Sequence, residues 1–181
     1  MKHRPVTGCW LLAGSSQLVA IFCQCSHFPR APIGQRSVKY SRKCARRNAD
    51  RVYYLDTSAL VKLMMPEAET EALHAFLNNV SFGDRFTSAV TRTELLRAAN
   101  RYGTGAIRVA RELLDGVTTI TITESLLDAA GTIGPSALRT LDAIHLVSAL
   151  ELGSDLTAVV AYDKRLLDAA APIGLPAVTP A

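Results

Sequence analysis

Val52-Tyr53-Tyr54-Leu55-Asp56-Thr57-Ser58 sets four apolar residues against one acid and two hydroxyls. The run is too short for a helix, and valine and tyrosine favour extended chain. Being apolar at every position, it suits a strand of a parallel sheet covered on both faces. Asp56 then stands at the carboxyl end of that strand, where the functional groups of open α/β sheets collect.

Outward from this stretch, short β-like runs alternate with longer helical ones, the pattern of a parallel α/β sheet. Further strands are expected over 85–87, 117–122 and 157–162, with an edge strand over 176–178. The β-branched run 117–122 gives the clearest of them. Helices are expected over 66–80, with Pro66 in the first turn, and over 88–102, with Ser88 as the cap. Others are expected over 106–114, 124–130, 138–152 and 164–170. Residues 57–65 lie outside these elements. Tyr54 and Phe86 belong to the core, as do most of Leu63, Met64, Met65, Leu73 and Phe76, although the last five could instead offer a surface to a partner.

Three more acids share the oddity of Asp56. Glu94 follows the second strand on its helix, Asp142 interrupts an almost wholly apolar helix near its start, and Asp163 closes the strand run 157–162. Carboxylates are rarely buried unless paired or bound to a cation, and four meeting at one rim would repel one another. Hard oxygen donors in such a group suit Mg²⁺ or Mn²⁺, and paired cations activate water against a phosphodiester. Asp56 and Asp142 are the leading ligands, and Glu94 and Asp163 complete the set. Thr57 and Ser58 offer hydroxyls to orient a water or a neighbouring carboxylate.

Each acid also has a structural alternative. Asp56 could start a turn, Glu94 could pair with Arg97 or Arg101, Asp142 could answer a helix dipole, and Asp163 could form a turn with Lys164. Taken together these alternatives leave the shared rim unexplained. His145, one helical turn after Asp142, is read as a structural histidine donating to a neighbour. Arg92, Arg97 and Arg101 could meet phosphates or form a solvated face.

Charge divides the chain. Residues 1–50 carry nine basic residues and one acid, a net +8, whereas 51–181 carry eleven basic and fifteen acidic residues, a net −4. The basic isoelectric point therefore belongs to the extension and is no nucleic-acid signature of the domain. All four cysteines (Cys9, Cys23, Cys25, Cys44) also lie in the extension, so the domain rests on no disulfide framework. The extension imitates a signal peptide poorly, and Cys23, Cys25, His27 and Cys44 lack the paired spacing of common zinc fingers. It is expected to be disordered, or to precede a true translation start at a Val52 codon, which would leave a chain of 130 residues; the domain is read as 51–181.

The segments Leu55-Asp56-Thr57-Ser58-Ala59-Leu60-Val61-Lys62, Thr93-Glu94-Leu95, Leu141-Asp142-Ala143-Ile144-His145-Leu146 and Tyr162-Asp163-x-Arg165-Leu166 resemble, in order and spacing, the PIN-domain ribonucleases. More narrowly, they resemble the VapC-type toxins of type II toxin–antitoxin pairs. The resemblance implies a three-layer α/β/α fold with a central parallel sheet, and a tetrad of Asp56, Glu94, Asp142 and Asp163 assisted by Thr57 or Ser58. It further implies Mg²⁺-dependent endonuclease action on structured RNA, tRNA or rRNA. A homodimer in the cytoplasm, with no membrane segment and restrained by a VapB-type antitoxin, completes the expectation. Two rival classes stand beside it: a non-catalytic module that holds RNA or a protein partner, and a phosphohydrolase with Asp56 as nucleophile. The second usually wants another acid two residues on, where this chain has Ser58.

Overall fold

Neighbouring residues of the two central strands enter opposite cores, which is what makes the sheet the middle layer. The computed structural model describes residues 51–181; the extension 1–50, its cysteines and the expectations attached to it lie outside the described residues. Five parallel strands, β1 (Val52–Leu55), β2 (Arg85–Ser88), β3 (Thr118–Ile120), β4 (Leu156–Val160) and β5 (Ala177–Val178), run in the order β3-β2-β1-β4-β5. The helices are α1 (Thr57–Met64), α2 (Thr70–Leu77), α3 (Ala89–Ala99), α4 (Thr104–Asp115), α5 (Glu124–Thr132), α6 (Thr140–Leu150) and α7 (Lys164–Ala170). Tyr53, Leu55, Ala158 and Val160 face a core built with α1 to α4. Tyr54 and Val159 face the other way, against Leu146 of α6 and Leu166 of α7. The three-layer α/β/α expectation therefore holds.

The differences lie in the first helices and the edge strand. Asp56 caps α1 by accepting from the Ser58 N–H, and Ala59, Leu60 and Met64 bury its inner face. Pro66 belongs to this helix as its stop: a residue before proline is forced out of the helical region, and Met65 is extended. The next helix consequently begins at Thr70, not at Pro66. The expected six-residue strand over 117–122 shortens to Thr118–Ile120, because it pairs only with Phe86, Thr87 and Ser88 of a four-residue neighbour. Thr121 and Ile122 then lead to Thr123, which caps α5.

Met64 and Leu73 are buried, and Leu63, Met65 and Phe76 pack against the same core, so these five serve the interior. Among the described residues no helix is long and apolar enough to cross a membrane. Leu146, wholly buried between sheet and helices, sets a test of the second core: Leu146→Ala should cost about 2–5 kcal/mol in urea unfolding. Leu150→Ala, at an exposed position of the same helix, should stay within about 0.5 kcal/mol of the parent.

Candidate active site

β1 sits between β2 and β4, so the chain winds outward in both directions from it and a crevice opens at the carboxyl ends of β1 and β4. Asp56 follows β1 directly, and Asp163 lies three residues beyond the end of β4. A cleft of about 450 Å³ there is lined by Asp56, Thr57, Ser58, Glu94, Asp142 and Asp163. Every residue selected from sequence thus meets in one place. Val61, Lys62, Glu67, His145 and Tyr162 complete the lining.

Two of the acids double as helix caps, each with one oxygen. Asp56 Oδ2 accepts from the Ser58 N–H at 2.9 Å and the Ser58 hydroxyl at 2.5 Å, while Oδ1 is 3.7 Å from His145 Nε2. Asp163 Oδ1 accepts from the Arg165 N–H at 2.8 Å and caps α7. The expected turn through Lys164 does form, as this cap, while the Lys164 ammonium itself bonds Asp168. Ser58 also accepts from the Tyr162 N–H at 2.9 Å, tying the start of α1 to the segment after β4.

Glu94 ignores Arg97 and Arg101. Its Oε2 accepts from the Thr57 hydroxyl at 2.5 Å and meets His145 Nε2 at 2.8 Å. His145 reaches Glu94 from α6, where it lies one turn beyond Asp142, and its Nδ1 meets the Tyr54 hydroxyl at 2.7 Å. In the neutral ring, Tyr54 donates to Nδ1 and Nε2–H donates to Glu94; in the charged ring both nitrogens donate. Burial pushes the His145 pKa down, but the hydrogen bond to Glu94 and the charges of Asp56, Glu94 and Asp142 outweigh it, so the net shift is upward. For Glu94 burial pushes up, and the bonds from His145 and Thr57 reverse it to a net fall.

Asp142 differs from the rest. Burial raises its pKa, the charges of Asp163 and Asp56 raise it further, and Arg139 and His145 only partly oppose them. Its Oδ2 is a buried oxygen with no hydrogen-bond partner. An orphaned carboxylate oxygen among like charges is costly unless a cation meets it. The donors here are hard oxygens, which fit Mg²⁺ or Mn²⁺. Among the described residues no three His, Cys, Asp or Glu side chains form a closed ligand group. An ion that keeps several of its waters and takes one or two carboxylates requires no such cage.

Sequence reasoning passed over Lys62 and Tyr162. Lys62 Nζ contacts Glu67 at 2.5 Å and Glu69 at 2.8 Å, and stands 4.8 Å from the centre of the Tyr162 ring. This pairing occupies Glu67 and Glu69. The available signal was a lone cation inside the apolar run Leu60-Val61-Lys62-Leu63-Met64-Met65, the same kind of oddity that drew attention to Asp142.

The PIN domain profile matches residues 53–172. Ribonuclease VapC47 of Mycobacterium tuberculosis is 45% identical over 130 residues, spanning 70% of this chain and 96% of its own length. Among solved structures, the Mycobacterium tuberculosis VapC20, a sarcin–ricin loop cleaving toxin, superposes with a TM-score of 0.57 at 18% identity, over 71% of this chain and 99% of that one. A toxin–antitoxin complex from Klebsiella pneumoniae gives 0.55 at 20% identity, over 71% and 98%. At these identities the two structural likenesses speak for the fold alone.

Proposed function

The chain belongs to the PIN-domain family, with the VapC ribonucleases as its relatives, and on that premise we propose that it is a Mg²⁺-dependent endoribonuclease toxin acting on structured RNA, tRNA or rRNA. The observation that carries the metal chemistry is the buried, unpartnered Oδ2 of Asp142, with the charges of Asp56 and Asp163 acting on it in one cleft. Asp56 and Asp142 would hold the ion, with Glu94 and Asp163 completing its surroundings directly or through water. Mn²⁺ suits the same oxygens. A divalent cation bound there supplies the Lewis acidity that activates water and steadies charge on the phosphate.

The chain's own residues keep that set in place. Ser58 fixes the Asp56 carboxylate, Thr57 and His145 fix Glu94, and Tyr54 anchors His145 to the sheet. Preorganised groups of this kind lower a barrier because they do not have to reorient as charge develops. The same reading makes the protein a cytoplasmic homodimer restrained by a VapB-type antitoxin. The likeness to a toxin–antitoxin complex is compatible with such a partner.

Labelled tRNA and rRNA incubated with the protein should yield discrete fragments in Mg²⁺ and none above the protein-free blank in EDTA, with activity returning when Mg²⁺ is restored. RNA retained on the protein in EDTA, with no fragments in Mg²⁺ after long incubation, would replace this reading with that of a binding module.

A further inference from the structure

A second cavity of about 400 Å³ adjoins the acidic cleft and shares Asp142 with it. Its lining includes Arg139 and Arg165, both exposed. Arg139 is the residue before α6, three positions ahead of Asp142, and Arg165 follows Asp163 by two in α7. Each cation is therefore carried within three residues of one of the acids, at the start of the same helix.

Among the described residues neither guanidinium is held by a hydrogen bond, although the charge of Arg139 is felt by Asp142. Lys62, Arg85, Arg108 and Lys164 all bond carboxylates or backbone carbonyls. Among the described residues, neither the Arg139 nor the Arg165 side chain makes a hydrogen bond or ion pair, and the contact of Arg165 with Asp163 uses only its backbone N–H. Asp168, the other acid of this lining besides Asp142, is already held by Lys164 at 3.0 and 2.9 Å. Two planar forks beside a carboxylate cluster suit the paired oxygens of a phosphate or a carboxylate, and next to a cleft read as cutting RNA the phosphate is the group at hand.

We propose that Arg139 and Arg165 bind a backbone phosphate of the RNA strand adjacent to the phosphate being cut. The proposal rests on the ribonuclease reading and gives that site its means of holding RNA. The domain is net negative and its reacting cleft is rich in carboxylates, so basic groups beside the cleft add to the attraction that a bound cation gives a polyanion. Arg139 and Arg165 thus act as positioning residues, setting the register of the strand across Asp142.

The test measures binding of a fluorescent mixed-sequence RNA oligonucleotide to the full chain by polarisation, across a KCl series, with Ca²⁺ replacing Mg²⁺ to limit cleavage. Arg139→Gln and Arg165→Gln should each weaken binding about tenfold and reduce the slope of log K against log salt by about one contact. The double variant should lose about two contacts. Arg139→Lys and Arg165→Lys should retain the slope, and Arg111→Gln, exposed on α4 away from both cavities, should change neither quantity. In Mg²⁺ the glutamine variants should lose more in KM than in kcat. Wild-type affinity and slope in the double variant overturn the phosphate site whatever the cleavage assay gives. Absence of Mg²⁺-dependent cleavage by the wild type overturns instead the reading on which it rests.

Discussion

Asp142→Asn is expected to slow RNA cleavage by about three orders of magnitude while raising the melting temperature of the metal-free protein. The substitution keeps the shape of the side chain and removes one charge from a place where burial, Asp163 and Asp56 all disfavour it. It also turns an acceptor-only group into one that can donate to a neighbouring carboxylate, so the oxygen left without a partner is no longer one of a charged pair. The folded-state pKa of Asp142 lies above its ordinary 3.8, so protonation stabilises the fold. That contribution is fully present below about pH 3.8 and is lost as pH rises through the folded value. In EDTA the advantage of the variant should accordingly grow with pH across that window and then level off. In Mg²⁺ the wild type should gain more melting temperature than the variant, since it has the better ligand. Losing a ligand worth several kcal/mol of transition-state charge stabilisation should lower the rate by on the order of 10³-fold. A variant that cuts within tenfold of the parent would remove Asp142 from the machinery. Equal melting temperatures in EDTA would show that the acids do not strain the fold.

Those opposed effects explain why the acids were legible in the sequence at all. A carboxylate at a strand end or inside an apolar helix violates the local burial rule, and the violation is visible without a structure. Asp56, Asp142 and Asp163 announce themselves in this way, and the strand–helix alternation places them at one rim. What was illegible depended on partners distant in the chain. His145 looks like a lone histidine on an apolar helix, yet its roles come from Tyr54, 91 residues away, and Glu94, 51 away. The reading of His145 as a structural histidine holding a neighbour describes its geometry, but the neighbour held is one of the acids. Helix α1 escaped notice for another reason. Its run of apolar residues shows no clean period, and Pro66, an ambiguous signal, serves to end one helix as readily as to begin the next. The length of β3 was overestimated because β-propensity counts residues, whereas a strand needs a neighbour of equal length.

The clearest expression of that distant coupling is His145→Ala, which should damage fold and activity together. The imidazole is 2% exposed and links a fully buried tyrosine on β1 to a half-buried glutamate on α3. Its removal opens a cavity between α6 and the sheet and takes from the Tyr54 hydroxyl its acceptor on Nδ1. Cavity and lost hydrogen bond together should cost about 3 kcal/mol in urea unfolding. Glu94 would keep only the Thr57 hydroxyl, and partners of this supporting kind are worth about 10–100-fold in metal affinity or activity. Tyr54→Phe separates the two consequences. It breaks the same buried bond at a cost of about 1 kcal/mol but leaves the contact of Nε2 with Glu94, so cleavage should fall much less than in His145→Ala. The double variant should be less destabilised than the sum of the singles by about 1 kcal/mol, because both remove one shared interaction. Strict additivity would mean that Tyr54 and His145 are neighbours without being coupled. Loss of cleavage in Tyr54→Phe as deep as in His145→Ala would mean that the phenol itself takes part in the reaction. The chain from Tyr54 through His145 to Glu94 would then have to be redrawn, with its chemistry beginning at the sheet rather than at the acids.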